Sequence, residues 1–509
     1  MFSRVTSIGL YGIESYRVSV EANLSSGLPR FDVVGLPDAA VSESRERVRA
    51  AIHNNGYDFP VSRITVNLAP ADIKKEGPVY DLPILIAILK STGQLRVNTD
   101  SLAFVGELAL NGEVRSINGV LPMVIRAQKE GIKSIFVPFD NRHEGAVVKG
   151  IDVFPVKTVA QLLEHLNSVN LIEPVDESDY NELVTADGLP DFADVKGQYQ
   201  PKRALEVAAS GGHNVMMIGP PGSGKSMLAK RIPSILPDMS FEESLETTNI
   251  YSVSGKLPEG VSLMRSRPFR SPHHTISPAG LSGGGTIPTP GEISLAHNGV
   301  LFLDELPEFT RNAMEILRQP IEDGKITIAR VAATYSYPCS VMLVCAMNPC
   351  PCGFYGHPTK PCTCPKGAPA RYLAKVSGPL LDRLDIHIEV PAVNYEELSS
   401  KAKEECSKDI KKRVNAAREI QRERFSGSGV NCNAKMTSAQ TRKYCQLSDE
   451  ASRLLKASFD SLGLSARAYD KVLRLARTIA DLDGGGEIKA EHIMEAVQYR
   501  SLDRKFWKV

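Results

Sequence analysis

The feature that most restricts the fold lies near the middle of the chain. An apolar, strand-like run, Asn214–Ile218, enters Gly219-Pro220-Pro221-Gly222-Ser223-Gly224-Lys225-Ser226, and a helix-like segment follows. Glycines let such a loop wrap closely enough for its backbone N–H groups to hold phosphate oxygens, aided by the positive end of the helix behind it. In that geometry Lys225 reaches the terminal phosphates and Ser226 ligates Mg²⁺. A loop of this kind works at the carboxyl end of a strand in a parallel α/β sheet. From Val195 to Pro391 the chain has the matching pattern, strands followed by helices, each strand ending in a polar loop.

Two further strand ends complete the chemistry. Val300-Leu301-Phe302-Leu303 stops at Asp304 and Glu305, about 80 residues after the phosphate loop. Strand-end acids are commonly solvated caps, but here Asp304 is placed to hold Mg²⁺ through water. Glu305 is placed to orient and deprotonate the attacking water. The run Val341–Met347 ends in Asn348, whose amide would hold that water against the γ-phosphate. Alone, such an Asn is an ordinary turn residue. Together the three strand ends predict ATP hydrolysis.

Around this core the chain divides further. Residues 1–167 alternate strand-like segments (Ile64–Leu68, Ile132–Pro138) with helix-like ones (Ser42–Asn54, Asp81–Ser91). Residues 168–195 hold eight acids and no Lys or Arg, and read as an acidic linker. The ATPase core occupies 196–392. Residues 393–509 read as helical, with a basic helix over Tyr395–Phe425 and later helices at Asp449–Leu462, Ser465–Leu482 and Ala490–Arg500. Before the Asn348 strand, alternation at Ile326, Ile328 and Val331 predicts a hairpin. Its Lys325, Arg330, Tyr335 and Tyr337 are either phosphate contacts and base-stacking groups, or the surface of an ordinary solvated hairpin. The Pro268–Pro290 insert, with His273-His274 and a Gly-rich end, reads as a mobile pore loop. Adjacent histidines in extended backbone face opposite ways and do not share one metal.

Composition excludes some classes of function. Lys+Arg number 60 and Asp+Glu 59, a net charge of +1, so the chain is no polybasic nucleic-acid coat and any such contact rests on local charge. One local excess exists: Lys401–Arg424 carries nine Lys/Arg against five acids. Aromatics at 6%, with Trp507 the single Trp, exclude a broad stacking platform. The N-terminal MFSRVTSIGLYGIES has no signal-peptide core, and the longest apolar run, Leu82–Leu89, is far short of the roughly 20 residues of a bilayer span. A cytoplasmic location is expected.

Six of nine cysteines crowd between Cys339 and Cys364. Cys350-Pro351-Cys352 and Cys362-Thr363-Cys364, joined by a turn-rich loop, offer four thiolates to a tetrahedral Zn²⁺, with His357 able to replace one. The alternative is two pairs of reduced thiols on a flexible loop. Cys339 and Cys345 fall in the apolar strand region and read as core.

The order phosphate loop, acidic strand, Asn strand resembles that of the AAA+ ATPases across Val195–Arg500. Within that class, PGEISLAHNGVLFLDELPE (290–308) and LRQPIEDGKITIAR (317–330) resemble the magnesium-chelatase-like branch. LSSGLPRFDVVGLPDA (24–39), ESRERVRAAI (43–52) and VNLAPAD (66–72) resemble one bacterial family, the YifB/ComM group, over essentially the whole chain. The resemblance implies an α/β fold: a P-loop AAA+ core of parallel sheet, an N-terminal α+β domain like the proteolytic domain of Lon, and a C-terminal helical lid. It implies that Arg383, in SGPLLDRLD, is an arginine finger entering a neighbouring subunit's site; the alternative is a surface salt bridge with Asp382 or Asp385. Arg467, in LSARAY, matches the second sensor arginine, which contacts the γ-phosphate from the lid. A finger supplied in trans requires a ring, so a homo-hexamer is implied. In the helicase members of the branch the hairpin points into the ring pore.

One departure stands out. Where Lon has its nucleophilic serine after Lys-Asp-Gly-Pro, this chain reads Lys75-Glu76-Gly77-Pro78-Val79, so protease activity is not expected. The resemblance implies a ComM-like helicase, an ATP-driven motor for branch migration in homologous recombination and natural transformation. Branched or single-stranded DNA is its implied substrate, with recombinase or competence proteins as partners. The alternative is a chaperone-type ATPase that remodels a protein, as the magnesium-chelatase motor does.

Overall fold

Alternation builds the first sheet. In Arg63–Ala69 the side chains of Ile64, Val66 and Leu68 are buried while those between them are not, the period of a strand packed on one face. The computed structural model describes every residue except 177–179, 181, 184–187, 286–287, 330–333, 394, 400–402, 463–464, 501, 503–505 and 508–509. Seven strands form the mixed sheet: β1 (Phe2–Tyr11), β2 (Glu14–Ser25), β3 (Arg30–Val34), β4 (Arg63–Ala69), β5 (Leu102–Phe104), β6 (Ser134–Pro138) and β7 (Asp152–Val156). Their order is β3-β4-β2-β1-β5-β6-β7. β1 and β2 pair antiparallel from Phe2↔Asn23 to Tyr11↔Glu14, while β1, β5, β6 and β7 run parallel.

Helices Ala39–Asn54 and Asp81–Ser91 belong to the same unit, the first capped by the Asp38 carboxylate accepting from Val41 N. The second accounts for the longest apolar run of the chain. Every residue from Leu82 to Leu89 is buried, so the run is a core helix. Val79, just ahead of it, is buried too. This unit comprises Met1–Leu183, Phe241–Arg265 and Ala329–Tyr337.

Asp81 carries a buried charge into that core. Arg47 Nε donates to its Oδ2 at 2.6 Å and Leu108 N donates to the same oxygen at 3.1 Å. Burial nevertheless outweighs these partners and pushes the carboxyl up to about 6. The folded value thus lies above the unfolded one, near 3.9, so protonation favours the fold. The stability this adds is fully present below the unfolded value and lost as pH rises through 6. Arg47→Met leaves the carboxylate unpaired and is expected to lower stability at pH 7.5 by roughly 2–3 kcal/mol, a loss that shrinks as pH falls through 6 and Asp81 takes a proton. Unfolding curves of both proteins at pH 7.5 and 5 check this; an equal gap at both would refute it.

The second unit, Val184–Ser240 with Ser266–Ile328 and Pro338–Val509, is built on a five-stranded parallel sheet. Its strands are β8 (Val215–Ile218), β9 (Phe269–Arg270), β10 (Val300–Leu303), β11 (Met342–Met347) and β12 (Ile386–Glu389), in the order β9-β10-β11-β8-β12. β8, β10 and β11 are buried along their whole length, as apolar runs between two covered faces should be. One strand falls inside a stretch read as a loop. Phe269–Arg270, inside the supposed pore loop, is the sheet's edge strand, and Arg270 forms a double hydrogen bond with Glu292 at 2.6 and 2.7 Å.

The C-terminal part is helical at Asp449–Leu462, Ala466–Leu482 and Ala490–Gln498. The single basic helix expected over Tyr395–Phe425 is instead two, Tyr395–Ser399 and Ser407–Phe425. The break is tertiary in origin: Glu404 is drawn into a buried ion pair with Lys202 at 2.7 Å and accepts from Gly197 N at 3.0 Å. Of the acidic stretch, Glu177, Asp179 and Asp187 lie outside the described residues. At its end Phe192 is fully buried, and Asp191 accepts from Ala193 N and Ser407 N.

Strands Lys325–Ala329 and Thr334–Pro338 form the expected hairpin; Arg330 and Val331 lie outside the described residues. Its tyrosines correct the reading of them as base-stacking groups. Tyr335 and Tyr337 are 9% and 0% exposed, and Tyr335 stacks on Tyr11 with ring centroids 4.8 Å apart. Lys325 is exposed. Among the described residues no helix is long and apolar enough to cross a membrane.

Candidate nucleotide site

The parallel register decides which side chains meet. β8 pairs with β11 through Ile218↔Met347, and β11 with β10 through Leu303↔Cys345. Three neighbouring strand ends therefore place Gly219, Asp304 and Asn348 along one edge of the sheet. The loop from Gly219 through Pro220, Pro221, Gly222 and Ser223 to Gly224 leads into a short helix, Lys225–Ala229. Gly222 and Gly224 have φ of +75° and +90°, where a β-carbon would be strained.

Lys225 is 8% exposed, and its Nζ donates to Gly219 O and Pro220 O at 2.9 Å and to Asn348 Oδ1 at 3.2 Å. All of these acceptors are uncharged. Burial lowers the ammonium pKa, with Asp304 and Glu305 opposing. A buried cation held only by neutral oxygens fits an anionic ligand such as a polyphosphate. Ser226 Oγ donates to Asp304 Oδ2 at 2.5 Å, a hydroxyl and a carboxylate together of the hard-oxygen kind that Mg²⁺ takes.

Glu305 stands beside this cluster in a strained conformation. Its φ is +52°, its N–H donates to Asp304 Oδ1 at 2.9 Å, and its carboxylate lies 3.5 Å from His274 Nδ1. A non-glycine residue held there costs about 1 kcal/mol, which the surrounding packing must offset. His274 corrects the reading of the two histidines as facing opposite ways. A turn closed by Ile276 N donating to His273 O brings the rings to 4.1 Å, and one of them to Glu305. Tyr372, on the helix that follows the cysteine-rich loop, is buried; that burial pushes its phenol up to about 12, with Glu308 and Glu305 adding.

Gln198 escaped the motif reading. It is buried with φ +56°, and its Nε2 donates to Pro391 O at 2.7 Å and to Ser223 O at 3.3 Å, bracing the phosphate loop. Its Oε1 is buried without a partner. The one sequence signal was a Gly-Gln pair ahead of a helix, too common to interpret alone.

Arg383 and Arg467 come together, but not at this edge. Both line one cavity of about 390 Å³ whose other walls include Asn214, Glu322, Asp385 and Lys471; no residue of the phosphate loop lines it. Asn214 precedes β8, so the cavity opens at the amino edge of the sheet, roughly 13–16 Å of strand from Gly219. Arg383 Nη2 pairs with Glu322 Oε1 at 2.7 Å, not with Asp382 or Asp385. Asp385 is instead held by Lys471 at 2.9 Å, with His213 at 3.6 Å, which keeps its carboxyl well below the usual range despite burial. Lys471 lies four residues after Arg467 on the same helix. The buried Lys471–Asp385 pair thereby fixes one arginine beside the other.

The four cysteines converge. The Sγ atoms of Cys350, Cys352, Cys362 and Cys364 all lie within 4.8 Å of one another. His357 is not among them; its Nδ1 accepts from Thr359 N and Lys360 N within its own loop. Cys339 and Cys345 are buried, as expected of core residues.

Comparison with known proteins finds matches along most of the chain. Residues 191–398 match the family described as magnesium chelatase, subunit ChlI; residues 20–141 match subunit ChlI of Mg-chelatase; residues 404–500 match the C-terminal part of that subunit. The chain is 45% identical over 499 residues to the uncharacterised protein YifB of Escherichia coli (strain K12), covering 97% of this chain and 96% of that one. It is 42% identical over 505 residues to the competence protein ComM of Haemophilus influenzae, covering 98% and 97%. A shorter likeness, 26% over 169 residues, reaches a Lon protease of Mycolicibacterium smegmatis, covering 31% of this chain and 22% of that protein.

Proposed function

The chain belongs to the YifB/ComM family of magnesium-chelatase-like AAA+ ATPases, and on that footing we propose that it is an ATP-driven, ring-forming DNA motor that drives branch migration. The phosphate loop and Lys225 hold the triphosphate, and Ser226 and Asp304 hold Mg²⁺. Glu305 orients and deprotonates the water, and Asn348 positions it. When bound, Mg²⁺ would supply positive charge against the charge that develops on the phosphates. Arg383 and Arg467 act on the site of a second copy.

The single observation that carries the reading is the separation of these two sets. Lys225, Ser226, Asp304 and Asn348 cluster at the carboxyl edge of the sheet, and the two arginines share a cavity at the amino edge. One chain cannot close both ends on one nucleotide, so in this reading the site is complete only where copies meet head to tail; such an interface builds a ring when its rotation closes, and we propose a closed hexamer. The DNA substrate rests on the likeness to ComM and on exposed cations such as Lys325, since the hairpin tyrosines are buried. The four-cysteine cluster is proposed to hold a structural Zn²⁺.

A second reading, an ATPase that remodels a protein partner, is favoured by the matches to magnesium chelatase along the chain. Branch migration of a synthetic four-strand junction separates the two. ATP-dependent product is expected with the wild type and none with Lys225→Ala. Absence of product together with an ATPase rate indifferent to any DNA would leave the protein-remodelling reading standing.

A further inference from the structure

The cysteine-rich loop has two faces, and only one concerns metal. Cys350–Cys352, Cys352–Cys362 and Cys350–Cys362 Sγ separations are 3.3, 3.5 and 3.7 Å. A tetrahedron with bonds of about 2.3 Å, the Zn–S length, has edges of about 3.8 Å, so these three sulfurs need only open slightly, and Cys364 Sγ, within 4.8 Å of each, supplies the fourth corner. Backbone N–H groups already point at the sulfurs: Cys352 N donates to Cys364 Sγ at 3.4 Å, and Phe354 and Thr363 supply Cys352. Such donors orient thiolates and share their charge. Between Cys350 and Gly367 there is no helix or strand. A loop of this length without regular structure needs a cross-link to keep one shape.

The other face touches the nucleotide site. Gly353, inside the thiolate loop, has φ +83°, and a β-carbon there would lie 2.2 Å from Pro221 Cδ and 2.7 Å from its Cγ. The backbone of the loop is therefore laid flush against the phosphate loop, one residue from Pro220, whose carbonyl accepts from Lys225. The loop begins two residues after Asn348, which accepts from the same lysine.

We infer that the tetrathiolate loop is a metal-held wall of the nucleotide site: Zn²⁺ bound by Cys350, Cys352, Cys362 and Cys364 presses Gly353 against Pro221 and so sets the affinity of the phosphate loop for nucleoside triphosphate. This rests on the proposed ATP and zinc readings and adds their coupling. Loss of the ion frees the loop from Pro221 while leaving every group that touches nucleotide in place.

The test measures metal content by mass spectrometry and binding of a fluorescent ATP analogue, on full-length protein prepared without added metal. One zinc per chain is expected. Cys362→Ser with Cys364→Ser should lose the metal and weaken nucleotide binding about tenfold. Gly353→Ala should keep the metal, since all four cysteines remain, and still weaken binding, because its β-carbon meets Pro221; it carries the test even where the double cysteine variant fails to fold. Wild-type protein without zinc overturns the metal wall. Zinc lost, or Gly353 changed, with unaltered nucleotide affinity overturns the coupling and leaves the metal site standing. Zinc present with no nucleotide binding, in wild type and Lys225→Ala alike, overturns the ATP-site reading itself.

Discussion

Glu305→Gln is expected to lower ATP turnover about 100- to 1,000-fold while leaving binding of Mg·ATP within about twofold of the wild type. The amide keeps the size of the carboxylate, and the backbone contact of residue 305 with Asp304 does not involve the side chain. What the substitution removes is the group proposed as the base. Glu305 is the natural candidate because its left-handed backbone, at φ +52°, turns it away from the strand while Asp304 stays hydrogen-bonded to Ser226. Lys225→Ala should fail at the earlier step, since its Nζ is the buried cation of the loop. Steady-state ATPase assays beside titration with a fluorescent nucleotide separate the two. Turnover of Glu305→Gln within about fivefold of the wild type would remove Glu305 from the role of base. The same variant should trap ATP-bound rings.

The phosphate loop was legible because its chemistry acts on the backbone. Gly222 and Gly224 are glycines for a local reason, a positive φ, and a local reason leaves its mark at fixed spacing. The strand ends at Asp304 and Asn348 were legible for a similar reason: a parallel sheet aligns the carboxyl ends of its strands, so order along the chain becomes adjacency in space. Where the outcome hung on packing between distant segments, spacing was silent. Tyr335 and Tyr337 have the same alternation whether they meet a base or are buried within the protein, Tyr335 against Tyr11. The continuous helix expected over Tyr395–Phe425 had good local propensity, and lost to the pull of Lys202 on Glu404. Gln198 and Gly353 meet the phosphate loop from elsewhere in the sequence, and the Gly-Gln pair and the cysteine motif beside them do not point to that contact. His274 reaches Glu305 only because a turn replaces the extended backbone that its neighbours suggest.

The largest consequence of the fold concerns two defective chains that should repair each other. Arg383→Ala alone is expected to lower turnover by about 1,000-fold, the lower range for loss of an arginine finger, and Lys225→Ala alone to abolish it. Mixed in equal amounts before assembly into the proposed ring, they should regain activity. A Lys225→Ala subunit still carries Arg383 at its amino edge, and an Arg383→Ala subunit still carries a complete phosphate loop at its carboxyl edge. Where the first meets the second in the right order, the interface between them has every group. With random order about a quarter of interfaces are of that kind, so about a quarter of wild-type turnover is expected if each site fires independently. Arg467→Ala should complement Lys225→Ala in the same way, because Lys471 ties its helix to Asp385 and places it in the Arg383 cavity. The two arginine variants mixed together should stay inactive, for neither contributes an intact pair. Were Arg467 to serve the nucleotide of its own chain, it would complement Arg383→Ala and fail with Lys225→Ala, the reverse pattern.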